Sequence, residues 1–231
     1  MCGLAGVIAL NGANVDARVV ARMADSMRHR GPDDDGLFVA GKVGLGFRRL
    51  AILDLSPGGH QPMRSADGRY VLVYNGEIYN YLELRHELQS KGYEFSSTGD
   101  SEVLLTSYLA WGADCLQKFN GMWAFLIYDT YEGVVFGSRD RFGIKPLYRY
   151  RTRDYVLFAS EIKAILTSGY YVGEKNWQVA AKFLVDQRLG DDTETFYQGV
   201  SSVAPGSAFE LGVDGRYKEW VYWSLADAPA V

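Results

Sequence analysis

Met1-Cys2-Gly3-Leu4-Ala5-Gly6-Val7-Ile8-Ala9-Leu10 opens the chain, and the reading of this stretch decides the fold. Gly3 to Leu10 is small and mostly apolar and is closed by Asn11-Gly12, the pattern of a buried strand ending in a turn. Cysteine directly after the initiator methionine adds chemistry. Methionine removal is favoured before a small residue and would leave Cys2 with a free α-amino group. Such an amine titrates near ~7.7–8.0 and a thiol near ~8.5, so the pair can pass a proton near neutrality without a histidine. By position alone Cys2 reads as a small residue at a strand start. The block Cys2-Gly3-Leu4-Ala5-Gly6-Val7 argues for a nucleophile, because its glycines admit close backbone approach and its strand would hold the terminus rigid.

Outward from this stretch, 231 residues with 48% hydrophobic content can fill a sizeable core. The net charge of -4 is small and both signs are interspersed, so no basic face is available for nucleic acid. With no secretory signal pattern and no run of eighteen apolar residues, the expectation is a soluble, cytoplasmic protein with neither nucleic-acid nor membrane partners. The second cysteine, Cys115, sits among Trp111, Leu116 and Phe119 and reads as core. His29, His60 and His86 lack metal-ligand spacing and read as surface or hydrogen-bonded loop histidines.

Along the chain, Val15, Val19, Met23 and Met27 keep one face of a helix apolar until Arg28. Val43 to Asp54 reads as one or two strands and Tyr70 to Tyr74 as a deeply buried one, with a Gly/Pro-rich loop, Ser56 to Pro62, between them. Asn80 and Glu83 form a capping pair for a helix that stops at Gly92, and a second helix spans about Ser101 to Trp111. Strands follow at Met122–Asp129, Val134–Arg139, Tyr148–Arg151 and Tyr155–Ala159. Helices near Glu161–Thr167 and Asn176–Asp186 then lead to strands near Val200, Phe209 and Tyr217. This order suggests a layered α+β domain of sheets packed on each other with helices outside. Residues 1–225 are expected to form it, with 226–231 a linker or cut edge.

A thiolate attacking an amide builds an oxyanion, which needs fixed donors. Asn75-Gly76 can supply an amide N–H and a backbone N–H, and equally fits a hairpin turn. An amino-acid substrate needs its carboxylate and ammonium held by opposite charges. Arg48 and Arg49 are equal candidates for the first; Asp100 suits the second but also suits a helix N-cap.

Seven segments together carry a resemblance. They are Met1 to Gly6, Arg28-His29-Arg30-Gly31-Pro32-Asp33, Arg49-Leu50, Asn75-Gly76-Glu77-Ile78-Tyr79-Asn80, Gly99-Asp100-Ser101-Glu102, the run from Arg139 to Tyr148, and Ser160-Glu161-Ile162-Lys163-Ala164. In this order they resemble the class II glutamine amidotransferases, and specifically the amino-terminal half of glutamine-dependent asparagine synthetases. The resemblance implies a four-layer αββα sandwich of two mainly antiparallel sheets, the N-terminal nucleophile hydrolase fold. It implies hydrolysis of L-glutamine to glutamate and ammonia through a glutamyl-thioester. Cys2 matches the nucleophile, Asn75 and Gly76 the oxyanion hole, and Arg49 and Asp100 the glutamine clamp, with Leu50, Ile52 and Glu77 lining the pocket. That choice takes Arg49 over Arg48 and substrate over N-cap for Asp100.

The resemblance further implies no cofactor in this chain. ATP and Mg belong to a synthetase domain that activates aspartate with a Ser-Gly-Gly-x-Asp-Ser loop, and the sequence has no such loop. Gly44-Leu45-Gly46 is no nucleotide fingerprint, since no helix follows it. Ammonia would pass to that synthetase half, as a domain or a separate subunit; homo-oligomerisation is left open. Two competing readings are a glutaminase half serving another carboxylate or sugar acceptor, and a catalytically silent module that binds glutamine or docks a partner.

Overall fold

The structure is a computed structural model that describes residues 1–187 and 193–227. Among them the strands and α-helices run, in chain order, β1 (Gly3–Ala9), α1 (Ala17–Asp25), β2 (Asp34–Ala40), β3 (Val43–Arg49), β4 (Met63–Arg64), β5 (Tyr70–Ile78), α2 (Tyr81–Ser90), α3 (Asp100–Trp111) and α4 (Cys115–Lys118). There follow β6 (Gly121–Asp129), β7 (Val134–Arg139), β8 (Tyr148–Arg151), β9 (Tyr155–Ala159), α5 (Ile162–Thr167), α6 (Trp177–Asp186), β10 (Val200–Ser202), β11 (Ser207–Gly212) and β12 (Tyr217–Val221). Two six-stranded sheets result, ordered β10-β8-β9-β1-β3-β2 and β12-β11-β7-β6-β5-β4. Every ladder within them is antiparallel.

Alternation along the strands builds the layers. Leu4 and Ile8 of β1, with Leu45 and Phe47 of β3, meet Val71 and Val73 of β5 and Leu126 of β6 in a core between the sheets. Phe158 and Phe209 stack across it with centroids 4.7 Å apart. The opposite parity of β1, Ala5 and Val7, packs under Val19, Val20 and Met23 of α1. Opposite parity in β5, Leu72 and Tyr74, packs under Leu84 of α2 and Val103 of α3. Three apolar seams therefore separate four layers, αββα, as expected.

Gly44 and Gly46 let α1 lie close, since a Cβ on Gly44 would reach Val20 Cγ2 at 2.6 Å and one on Gly46 would meet Ala24 Cβ at 3.2 Å. These glycines serve packing. Cys115 is fully buried beneath α3, as its neighbours suggested.

Four sequence readings need correction. The expected strand at 43–54 ends at Arg49, because the Arg49 guanidinium donates to the carbonyls of Asp54 and Ser56 and folds the following segment back on itself. The strand expected to stop at Tyr74 continues to Ile78, since β6 pairs with it residue for residue from Tyr70–Asp129 to Ile78–Gly121. Asn80 starts α2 without capping it: its amide is spent instead on Lys118 O and on Asn120 N–H, both at 2.9 Å. Strand β2 was not anticipated; Leu37 and Val39 are exposed on its outer face, so it shows no apolar/polar alternation. Of the expected linker 226–231, residues 228–231 lie outside the described residues.

Candidate active site

The inter-sheet parity that buries Leu4 also governs Cys2, which packs at the edge of that core just before β1. Asn75 and Glu77 share the parity of Val71 and Val73, so the same alternation turns them toward Cys2. The result is a cleft whose walls include Met1, Cys2, Arg49, Leu50, Ile52, Asn75, Gly76, Glu77, Asp100 and Lys145. All eight residues expected from the sequence are among them. Arg48 is elsewhere, paired with Asp25 and Asp35.

Two sets of contacts fix Cys2. Its Sγ accepts from Leu50 N–H at 3.4 Å and faces Leu50 O at 3.6 Å. Its carbonyl accepts from Arg30 Nε at 2.8 Å, and Arg30 is held in turn by Glu161 at 3.1 Å. Burial pushes the Cys2 thiol above its ordinary value, opposed by the Leu50 hydrogen bond and by the positive terminus, Arg49 and Lys145. In this structure the free amine is that of Met1, and burial lowers it from 8.0. An amine so lowered is a free base at a lower pH than usual.

Asn75 is 1% exposed, and its Nδ2 has no hydrogen-bond partner among the described residues. An unused buried amide donor is costly, on the order of 1–3 kcal/mol, and such groups mark places where a missing acceptor belongs. Gly76 follows within the strand, where any side chain would strike Met122 O, the Tyr74 ring and, at 2.8 Å, Trp123 Cα. The hairpin alternative for Asn75-Gly76 is thereby removed, because both residues are laddered to β6.

Asp100 is the first residue of α3, whose N-cap is Gly99 and not Asp100. The carboxylate is 6% exposed; its Oδ2 accepts from Tyr74 OH at 2.8 Å and from Ile78 N–H at 2.9 Å. Burial raises its pKa, with the Ile78 and Tyr74 bonds pulling the other way. Arg49 spends two of its five donors on Ser56 O, at 3.0 Å, and Asp54 O. Its other three N–H groups have no hydrogen-bond partner among the described residues. Asp54 closes this loop onto the turn before α3 through Thr98 N–H and hydroxyl, both at 3.1 Å. The Ser56 hydroxyl first, then the Ser56 and Thr98 N–H groups, hold Asp54 down at about 2.

Sequence reasoning gave no role to four residues here. Arg30 grips the Cys2 carbonyl across 28 positions, Tyr74 buttresses Asp100, and Lys145 lines the cleft. Gln61 pins Tyr74, accepting its N–H at 2.6 Å and donating to its carbonyl at 3.3 Å. Contacts of such separation leave no local period, though Arg30 and Lys145 both lay inside segments that carried the resemblance. The histidines are hydrogen-bonded at the surface where partners are seen, His29 to Glu161 and His60 to Asp34.

The family of the glutamine amidotransferase domain matches residues 1–223. An asparagine synthetase [glutamine-hydrolyzing] 1 of Bacillus subtilis is 40% identical over 218 residues, covering 93% of this chain and 34% of its own length. A putative asparagine synthetase [glutamine-hydrolyzing] 2 of Methanocaldococcus jannaschii is 44% identical over 187 residues, 72% of this chain and 35% of that one. The chain thus spans about a third of the length of these curated relatives. Among solved structures, the glutamine phosphoribosylpyrophosphate amidotransferase of B. subtilis superposes with a TM-score of 0.72 at 22% identity over 96% of this chain and 49% of that one, a likeness of fold. The two-sheet fold is the one shared with that structure. With the family match running from residue 1 to residue 223 and with these relatives, the chain belongs to the glutamine amidotransferase domain family of enzymes.

Proposed function

We propose that the chain hydrolyses L-glutamine to L-glutamate and ammonia, with Cys2 as nucleophile once Met1 is removed. The observation that carries this reading is the buried, unpartnered Asn75 amide in the same cleft as the Cys2 thiol. The side-chain amide of glutamine would sit between them. Its α-carboxylate would take the free N–H groups of Arg49, and its α-ammonium the Asp100 carboxylate.

The Cys2 α-amine takes the thiol proton as Sγ bonds to the amide carbon, and the carbonyl π electrons move to oxygen. Asn75 Nδ2–H and Gly76 N–H receive that oxyanion. Return of the proton to the amide nitrogen, followed by C–N cleavage, releases ammonia and leaves a glutamyl-thioester on Cys2. Water then attacks the thioester carbon, giving its proton to the amine, and expulsion of the thiolate frees glutamate and restores Cys2.

Because the sequence relatives are asparagine synthetases, the ammonia is proposed to serve an ATP- and Mg-dependent domain that amidates aspartate. Action in the cytoplasm goes with that role, and no helix among the described residues is long and apolar enough to cross a membrane. Glutamate release from glutamine by a chain verified to begin at Cys2 tests the hydrolysis. Release that vanishes in Cys2→Ala supports it; no release from the intact chain refutes it.

A further inference from the structure

Of the segments that carry the resemblance, the longest without a role in the proposed chemistry is Arg139 to Tyr148, from the end of β7 to the start of β8. It is an unusually constrained loop. Asp140, 1% exposed, accepts the N–H groups of Trp123, Phe142, Ile144 and Lys145 at 2.9–3.2 Å. Arg139 donates to the carbonyls of Gly143, Lys145 and Val203 at 2.7–2.8 Å, and to Ser202 Oγ at 2.6 Å. With both residues spent on backbone, the product of the loop is the placement of one side chain. Lys145 is 7% exposed and lines the cleft with Cys2. Among the described residues no hydrogen bond or ion pair takes up its Nζ.

The Lys145 side chain is buried while its ammonium meets the cleft, and a positive charge at the wall of such a confined site favours an anion that forms beside it. We propose that Lys145 is a positioning residue whose ammonium stabilises the Cys2 thiolate at the moment the S–H bond breaks and the proton moves to the α-amine. This deepens the glutaminase reading and rests on Cys2 being its nucleophile. The groups facing the thiol are the terminal amine, Arg49 and Lys145; those facing Lys145 are Cys2, Arg30, Glu77 and Asp140. Arg49 bonds loop carbonyls and Arg30 bonds the Cys2 carbonyl and Glu161, so of these three side-chain cations Lys145 is the one without a hydrogen-bond or ion-pair partner among the described residues. Burial lowers its own pKa, and the Cys2 charge raises it, the reciprocal of the same coupling.

The test is the pH dependence of iodoacetamide labelling at Cys2, read by peptide mass in the chain beginning at Cys2. Cys115 is buried, burial pushes its thiol well up, and its peptide is scored separately. Lys145→Met should move the Cys2 inflection up by about one pH unit, the scale of one close opposite charge, while Lys145→Arg keeps it near native. Lys145→Gln replaces Lys145→Met should the latter fail to give a native circular dichroism spectrum. A neutral variant that folds and keeps the native inflection overturns the inference, whatever its turnover. Failure of the glutaminase reading is seen separately, as no glutamate release by the native chain.

Discussion

The cleft has two walls built on opposite terms. Cys2 stands just before β1 of one sheet and Asn75-Gly76 on β5 of the other, and Asn75 Nδ2 is held there with no partner among the described residues. Arg49 and Asp100 stand where a strand gives way to loop and where a helix begins, and both already carry protein hydrogen bonds. The strand wall is finished before substrate arrives and stores its cost in an unused donor. The loop wall is partly satisfied without substrate, and on the proposed function it would share its donors and acceptors with glutamine. Residues of the first wall should therefore govern kcat, and those of the second KM.

The largest effect that could break this division is Cys2→Ala, expected to lower kcat by more than ~10³ with the melting temperature little changed. Asn75→Ala should lower kcat by ~10²–10³ and leave KM within a few-fold, as loss of one oxyanion donor does. A tenfold rise in KM with kcat intact would move Asn75 to the other wall. Asp100→Asn should raise KM by ~30–100-fold, the scale of a hydrogen bond to a charged group, with kcat largely kept.

Asp100→Asn also sharpens the comparison through stability. A carboxyl whose folded pKa is raised favours folding when protonated, and that benefit is lost as pH rises through the folded pKa. Above that folded pKa the ionised Asp100 therefore works against folding. The neutral amide keeps an oxygen for Tyr74 OH and Ile78 N–H, so the variant should melt above the native chain while binding glutamine less well. A lower melting temperature would show that Asp100 is there for the fold.

The smallest effect is in the pH profile. Burial lowers the Met1 amine from 8.0; if the Cys2 amine is desolvated in the same way once Met1 is removed, the acid limb of kcat/KM should fall below that value, activity being lost as the amine is protonated. KM should also rise as pH falls and Asp100 takes up a proton through its raised pKa. An acid limb at or above 8.0 would mean that the amine of Cys2 is not desolvated as that of Met1 is.

The two walls also differed in how legible they were. Strand parity is a local, two-residue rule, so β1, β6, β7, β8 and β9 were placed to within about a residue, and Cys2 with Asn75 followed. What parity could not show is that β5 runs through Asn75-Gly76 to Ile78. That depends on β6 supplying a partner more than forty positions away, while the Asn-Gly pair reads locally as a turn. The loop wall was legible as residue types alone. Arg48 and Arg49 are indistinguishable by local pattern; the resemblance takes Arg49, and the fold sends Arg48 to Asp25 and Asp35 and Arg49 to the cleft. Asp100 looked like a cap because it precedes a helix by one place in the apolar pattern; Gly99 occupies that place. Arg30, Gln61 and Lys145 act across tertiary contacts that no window of sequence contains.

The central claim, that Cys2 carries the glutamyl group, is tested most directly by acid quench of the chain beginning at Cys2 during turnover of glutamine, followed by intact and peptide mass. A glutamyl adduct confined to the Cys2 peptide, absent from Cys2→Ala, is the predicted result. Glutamate formed at native rate with no adduct, or by Cys2→Ala as well, would contradict it.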